Sequence, residues 1–296
     1  MRTVARLLVG MWLTCAAAEL SAQSRNAPRP IAAGQSLWLE ELTWMEVRDL
    51  VDAGWTTVII GTGGVEQNGP YVVSGKHNYV LQTVMPAIAG AIPRSLLAPI
   101  VKFVPEGRIE PAADGHMRFP GTISVEEATF EALLTDITRS YRAHGFNDII
   151  LLGDSGGNQT GMRNVASALN QRWAREGSDA RVHYLPEYYE EDMWSYGFLK
   201  QLGITQLDET PGQPRDQPTA TRNGLHDDVY YEAQVAVQDP SFIRWEQRRR
   251  AGLLSLHGVD LRPLDRLVDI GRRLAEYRAG ITAKAFAASM NRLRGR

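Results

Sequence analysis

Thr56-Thr57-Val58-Ile59-Ile60, followed six residues later by Glu66-Gln67-Asn68-Gly69-Pro70 and then by His77, is the stretch on which the reading of this chain turns. The first five residues are a β-branched run without polar alternation, the pattern of a parallel strand buried on both faces. Open α/β sheets place their ligand pockets beyond the carboxyl ends of such strands. A carboxylate at that point, with an imidazole in the loop that follows, is therefore a candidate site. A second unit repeats the arrangement: Asp148-Ile149-Ile150-Leu151-Leu152 reads as a buried strand and runs into the polar glycine loop Gly153-Asp154-Ser155-Gly156-Gly157-Asn158, which opens a helix. The two loops would bring Glu66, His77 and Asp154 to one crevice as a metal site.

The rest of the chain alternates in the same way. Thr43-Trp44-Met45-Glu46 has the spacing of a capping box, and Gly54 suits the end of the helix it starts. A helix is expected from about Asn78 to Gly90, and a strand in the apolar run from Leu96 to Val104. Ser124-Val125-Glu126-Glu127 reads as another capping box, before a helix with apolar positions Phe130, Leu133, Leu134 and Ile137 that stops at Gly145. A helix through Trp173, a strand from Arg181 to Leu185, an exposed loop from Gln206 to Arg222 and a long amphipathic helix from Leu264 to Arg292 complete the series. Strand–helix alternation predicts a three-layer α/β/α sandwich around a mostly parallel sheet. The segment Pro105 to Thr122 is too long for an idle connection, which points to function.

The chain has 296 residues, of which 44% are hydrophobic and 22% charged, enough for one large core. A net charge of −2 gives no footprint for nucleic acid. Arg2 and Arg6 stand at the start of an apolar run from Leu7 to Ala18, too short to span a bilayer but of the length of a signal-peptide core. The expected division is a signal peptide over residues 1–22, a linker over 23–37 and an α/β domain over 38–296. Cys15, the only cysteine, lies in the leader. The mature chain would then use no disulfide and no thiolate.

In their order these motifs resemble the creatininase (creatinine amidohydrolase) family. The family's first loop is Glu-Gln-His-Gly-Pro with an Asp eleven residues after the Glu. Its second hallmark matches Phe119-Pro120-Gly121-Thr122, with His116 just before. Its third is a glycine-rich loop after a strand, and its fourth is a late His-Ala-Gly-type segment, to which His226 corresponds. The resemblance runs from about Leu42 to about Pro240. It implies two divalent metals, but the ligand positions differ here. Glu66 is kept, Asn68 and Ser155 stand where the family has histidines, His77 stands at the bridging Asp, and Gly157 stands at an acidic position. One ion rather than two is implied, zinc or manganese, bound by Glu66, His77 and Asp154.

The leader points to export, to the periplasm or outside the cell, and the resemblance further implies a metal-dependent hydrolase of a non-peptide or cyclic C–N bond, acting on a small molecule as a homo-oligomer. His226 would hand a proton to the leaving nitrogen, its ordinary pKa lying near neutrality. Glu232 is a fallback ligand, and Asp227 and Asp228 would orient His226 or reach the metal. Tyr188, Tyr189, Trp194 and Tyr196 fall where the family has aromatic pocket walls. Other roles stay open: Glu66 pairing with a lysine, His77 as a surface residue, Asp154 as a helix cap, Asn68 bracing a turn. The alternative reading is a non-catalytic ligand-binding protein that kept the fold and lost the two-metal centre.

Overall fold

Both faces of the central sheet are covered, and the strand residues sort between them one by one. In a computed structural model that describes residues 24–110, 113–190, 192–206 and 227–295, β1 (Thr57–Thr62) has Ile59 in one core, while Val58 and Ile60 lie in the other. Ile150 and Leu152 of β3 (Asp148–Gly153) join the first core, Ile149 and Leu151 the second. Successive side chains of a strand point to opposite faces, so a strand buried on both sides needs apolar residues at every position. That requirement produces the unbroken runs in the sequence.

The elements follow in the order α1 (Trp44–Asp52), β1, α2 (Lys76–Ala91), β2 (Ser95–Leu97), α3 (Glu127–Ala143), β3 (Asp148–Gly153), α4 (Asn158–Arg175) and β4 (Arg181–Tyr184). Then come α5 (Glu187–Glu190), α6 (Asp192–Gln201), α7 (Val229–Gln238), α8 (Trp245–Ala251), the short antiparallel pair β5 (Ser255–Leu256) and β6 (Val259–Asp260), and α9 (Leu264–Arg294). The main sheet is parallel throughout, with strand order β2-β1-β3-β4. Helices α2, α7 and α9 pack on one face, and α3 and α4 with part of α1 on the other. The expected three-layer sandwich is what the chain forms.

Two expectations differ from what is seen. The run from Leu96 to Val104 is a strand only over Ser95–Leu97. Beyond it Ala98 and Val101 still donate to Ile59 and Gly61 of β1, at 2.9 Å each, but Pro99 stands between them and has no N–H to give to a ladder. The second capping box does not form. α3 starts one residue after Glu126 without a side-chain cap, because the Ser124 hydroxyl is engaged elsewhere. It accepts from the Glu106 amide at 2.9 Å and donates to the Gly107 carbonyl at 2.7 Å. The first capping box is complete, with Thr43 accepting from the Glu46 amide and Glu46 accepting from the Thr43 amide at 2.7 Å.

Residues 24–37, expected as a linker, lie along α1, where Arg48 donates to the carbonyls of Arg25 and Ala27 and Arg29 pairs with Asp49 at 2.9 Å. The exposed loop expected over Gln206–Arg222 falls almost wholly outside the described residues, as does His226. No helix among the described residues is long and apolar enough to cross a membrane. The capping geometry gives a direct test. Thr43→Ala removes one of two reciprocal bonds and should lower unfolding stability by about 1 kcal/mol, read as a shifted urea midpoint.

Candidate metal centre

Strands β1 and β3 run side by side, with Thr62 paired to Gly153 at their carboxyl ends. The chain leaves both at the same edge, so the loop after β1 and the loop after β3 meet. Asn158 at the start of α4 fastens them, its amide donating at 2.9 Å to the carbonyls of Thr62 and Gly63 and to the Thr62 hydroxyl. Glu66 sits in the first loop, Asp154 opens the second, and His77 is the second residue of α2. All three are buried.

They meet as expected, in a specific way. His77 Nε2 lies 2.8 Å from Oε1 of Glu66, and Nδ1 lies 2.8 Å from Oδ2 of Asp154. The imidazole therefore bridges the two loops, with one carboxylate on each nitrogen. Asp154 also accepts from the Tyr188 hydroxyl at 2.8 Å and pairs with Arg278 at 3.0 Å. It does not cap α4, which has no side-chain cap at its N-terminus. Glu66 has further neighbours: the Lys76 ammonium at 3.4 Å from Oε1 and His116 Nε2 at 3.2 Å from Oε2. Lys76 in turn lies over the Tyr231 ring, 4.1 Å from its centroid, a favourable contact for a desolvated cation.

Asn68 braces the turn, donating through Nδ2 to the carbonyls of Glu66 and Val73 at 3.1 Å. Ser155 places its hydroxyl 3.4 Å from Oε2 of Glu106. Glu106 was not singled out from the sequence, and neither were Lys76 and Arg278. Each left a trace there. Glu106 begins the over-long segment after Pro105, and Lys76 precedes His77. Arg278 is a charge on the apolar stripe of α9, four residues from both Leu274 and Thr282, which are buried.

Past the edge of the undescribed stretch, Asp227, Asp228 and Glu232 form a second buried acidic group. Glu232 pairs with Arg248 at 2.6 Å, and Asp228 accepts from the Tyr196 hydroxyl at 2.9 Å. Tyr188 and Tyr196 thus serve as hydroxyl donors to buried carboxylates.

The electrostatics follow from burial. Around the site the described residues include the buried carboxyl groups of Glu66, Glu106, Asp154, Asp227, Asp228 and Glu232, and the buried basic groups of Lys76, His77, Arg248 and Arg278. Burial and the Lys76 charge press the His77 pKa down, but the Glu66 charge and the bonds to Asp154 and Glu66 outweigh them and hold it at about 9. Burial, reinforced by the Glu66 charge, pushes Glu106 up to about 9. Burial and the Glu232 charge raise Asp227 well above the usual carboxylate range. Burial lowers His116.

This donor set fits a divalent ion in its chemistry. It offers carboxylates and imidazoles, and the His77 ring is oriented by a carboxylate on one nitrogen, the usual support of a metal-bound histidine. Glu106 Oε1 is buried with no hydrogen-bond partner among the described residues. The donors are turned on one another, and no group of three or more His, Cys, Asp or Glu side chains among the described residues is already arranged about one point.

The His77 shift has a testable consequence. Its folded-state pKa of about 9 lies above the ordinary 6.5, so the bound proton stabilises the fold fully below pH 6.5, and that contribution is lost as the pH rises through 9. In chelator-treated protein the thermal midpoint should fall across this interval. A flat profile would show that His77 carries no extra proton.

Comparisons with known proteins agree with the geometry. The family model of creatinine amidohydrolase matches residues 40–227. Creatinine amidohydrolase of Pseudomonas putida is 27% identical over 118 residues, which span 40% of this chain and 44% of that protein. Among solved structures, a creatininase described with Mn superposes with a TM-score of 0.59 at 18% identity, covering 87% of this chain and 98% of that one. A mutant creatininase described as Zn-Zn type gives 0.58 at 17% identity, covering 88% and 98%. The matched region includes both loops and their strands, and on that ground the chain belongs to the creatininase family.

Proposed function

We propose that this protein is an exported hydrolase of a non-peptide or cyclic C–N amide bond, dependent on a single divalent metal, zinc or manganese. The observation that carries the reading is the His77 imidazole, oriented by Asp154 on one nitrogen and presented to Glu66 on the other at the carboxyl edge of the sheet. Glu66 and His77 would hold the ion. Asp154, expected from the sequence as a third ligand, bonds the nitrogen across the ring from Glu66, and in this reading it sets the ring's tautomer and direction. When bound, the ion lowers the pKa of water and polarises a carbonyl.

The remaining work falls to the protein. Lys76 places its ammonium 3.4 Å from Glu66. Arg278 and Tyr188 pair with Asp154. His226, which lies outside the described residues, is the proposed donor of a proton to the leaving nitrogen. The substrate is a small molecule, and the family's replaced ligand positions, Asn68, Ser155 and Gly157, mean that its identity is not inherited from creatinine amidohydrolases. Residues 1–22 would be removed on export, and homo-oligomer formation belongs to the same proposal.

A second reading has its own observation. Lys76 and Arg278 already neutralise Glu66 and Asp154 by direct ion pairs, as expected of a ligand-binding protein that has replaced metal ions with basic side chains. Metal analysis separates the two. The mature protein should purify with about one zinc or manganese per chain, and Glu66→Ala and His77→Ala should lose it. Full metal content in both variants would refute the site, and a metal-free wild type that still binds a small amide would favour the second reading.

For the chemistry, His226→Ala should lower kcat by about 10²–10⁴-fold while metal content stays unchanged. For export, the mature N-terminus should fall between residues 19 and 24 by terminal sequencing. An intact Met1 in protein from the native host would refute cleavage.

A further inference from the structure

Glu106 stands on no regular element, yet its surroundings fix it closely. Its amide donates to the Ser124 hydroxyl, which donates to the Gly107 carbonyl. Its carbonyl accepts from the His116 amide at 3.1 Å, and the Val104 carbonyl accepts from Val125 at 3.2 Å. The segment is thereby tied on both sides, and the side chain is delivered into the site with 6% of the residue exposed.

Two glycines make room for it. A β-carbon at Gly157 would lie 2.0 Å from the Pro105 carbonyl oxygen, so the segment carrying Glu106 fills the space where a side chain at position 157 would stand. A β-carbon at Gly64 would lie 2.0 Å from Oε1 of Glu106 itself. The carboxylate thus rests against the backbone of the loop after β1, within hydrogen-bonding reach of Glu66. Ser155 meets Oε2 at 3.4 Å, and Oε1 has no partner among the described residues.

Glu66 is served by Lys76, His77 and His116, whereas Oε1 of Glu106 is a buried acceptor with no donor among the described residues, an arrangement that costs free energy until a cation reaches it. We infer that Glu106 shares with Glu66 the divalent ion held at this site, as a carboxylate ligand supplied by the segment between β2 and α3. The inference rests on the metal reading above and adds a ligand that the sequence motifs do not mark. It also explains a backbone built around one side chain: Ser124 is diverted from helix capping to hold the Glu106 amide, and positions 64 and 157 have no space for a β-carbon.

Calorimetric titration of metal-stripped mature protein with zinc chloride or manganese chloride tests it. Wild type should bind one ion, and Glu106→Gln, nearly isosteric, should weaken binding by about 100-fold or more. The metal-free variant should keep its circular dichroism spectrum and a thermal midpoint no lower than wild type, because the amide matches the carboxyl in size and can donate to Glu66. Glu106→Asp keeps the charge on a shorter stem and should bind more weakly than wild type; it serves if the glutamine variant does not fold. Binding in wild type with unchanged affinity in the variants would overturn the role of Glu106 and leave the metal reading intact. Absence of binding in wild type would overturn both.

Discussion

The imidazole of His77, held between Glu66 and Asp154 at 2.8 Å on each side, is the interaction on which the site depends. It joins the loop after β1 to the loop after β3 across the carboxyl edge of the sheet. Backbone pairing alone would not do this: the Asp154 amide still donates to the Thr62 carbonyl at 3.0 Å, but Glu66 lies four residues beyond Thr62. A buried carboxylate without a donor costs several times what a hydrogen bond contributes, so two carboxylates sharing one ring constrain each other. Moving either loop orphans a charge in both. The sheet supplies the rigid base: β1 and β3 are in register over six residues, which fixes the spacing the ring must span.

The layers could be read from the sequence because their cause is local. A strand buried on both faces must be apolar throughout, and β1 and β3 are. The first capping box was legible for the same reason, since Thr43 and Glu46 satisfy each other within one turn. Where the reading went astray, a distant group had taken the local partner. Ser124 has the spacing of a cap, but Glu106 lies eighteen residues earlier in the chain and claims its hydroxyl. Pro99 breaks the Leu96–Val104 run as a ladder, although the backbone on either side of it still follows β1.

The site was legible to a similar degree and with the same limit. Glu66, His77 and Asp154 converge because strand ends predict where loops go, and loop positions were enough to place them in one crevice. Sequence spacing cannot say which atom of each group faces which, and that decides their parts. Asp154 meets the ring nitrogen opposite to the one that meets Glu66, so proximity alone does not make it equivalent to Glu66. Arg278 comes from a helix 124 residues further along the chain, and only its position on an apolar stripe hinted that it was buried with a purpose.

The substitutions in the two loops make sense as a connected set. An acidic side chain at position 157 would collide with the Pro105 carbonyl, so a chain that brings Glu106 into the site from this segment requires glycine there. With histidine in place of a carboxylate at position 77, the ring can lie between Glu66 and Asp154, and Asp154 then needs Arg278 and Tyr188 to balance its remaining oxygen. Lys76, beside His77 in sequence, adds a positive charge to Glu66 from the same helical turn. Each change alters the charge its neighbours meet, and Glu66, His77 and Asp154 are almost wholly buried. The site is therefore better understood as a rebuilt electrostatic unit on a retained sheet than as a family site with isolated losses, and its chemistry has to be sought in the groups now present.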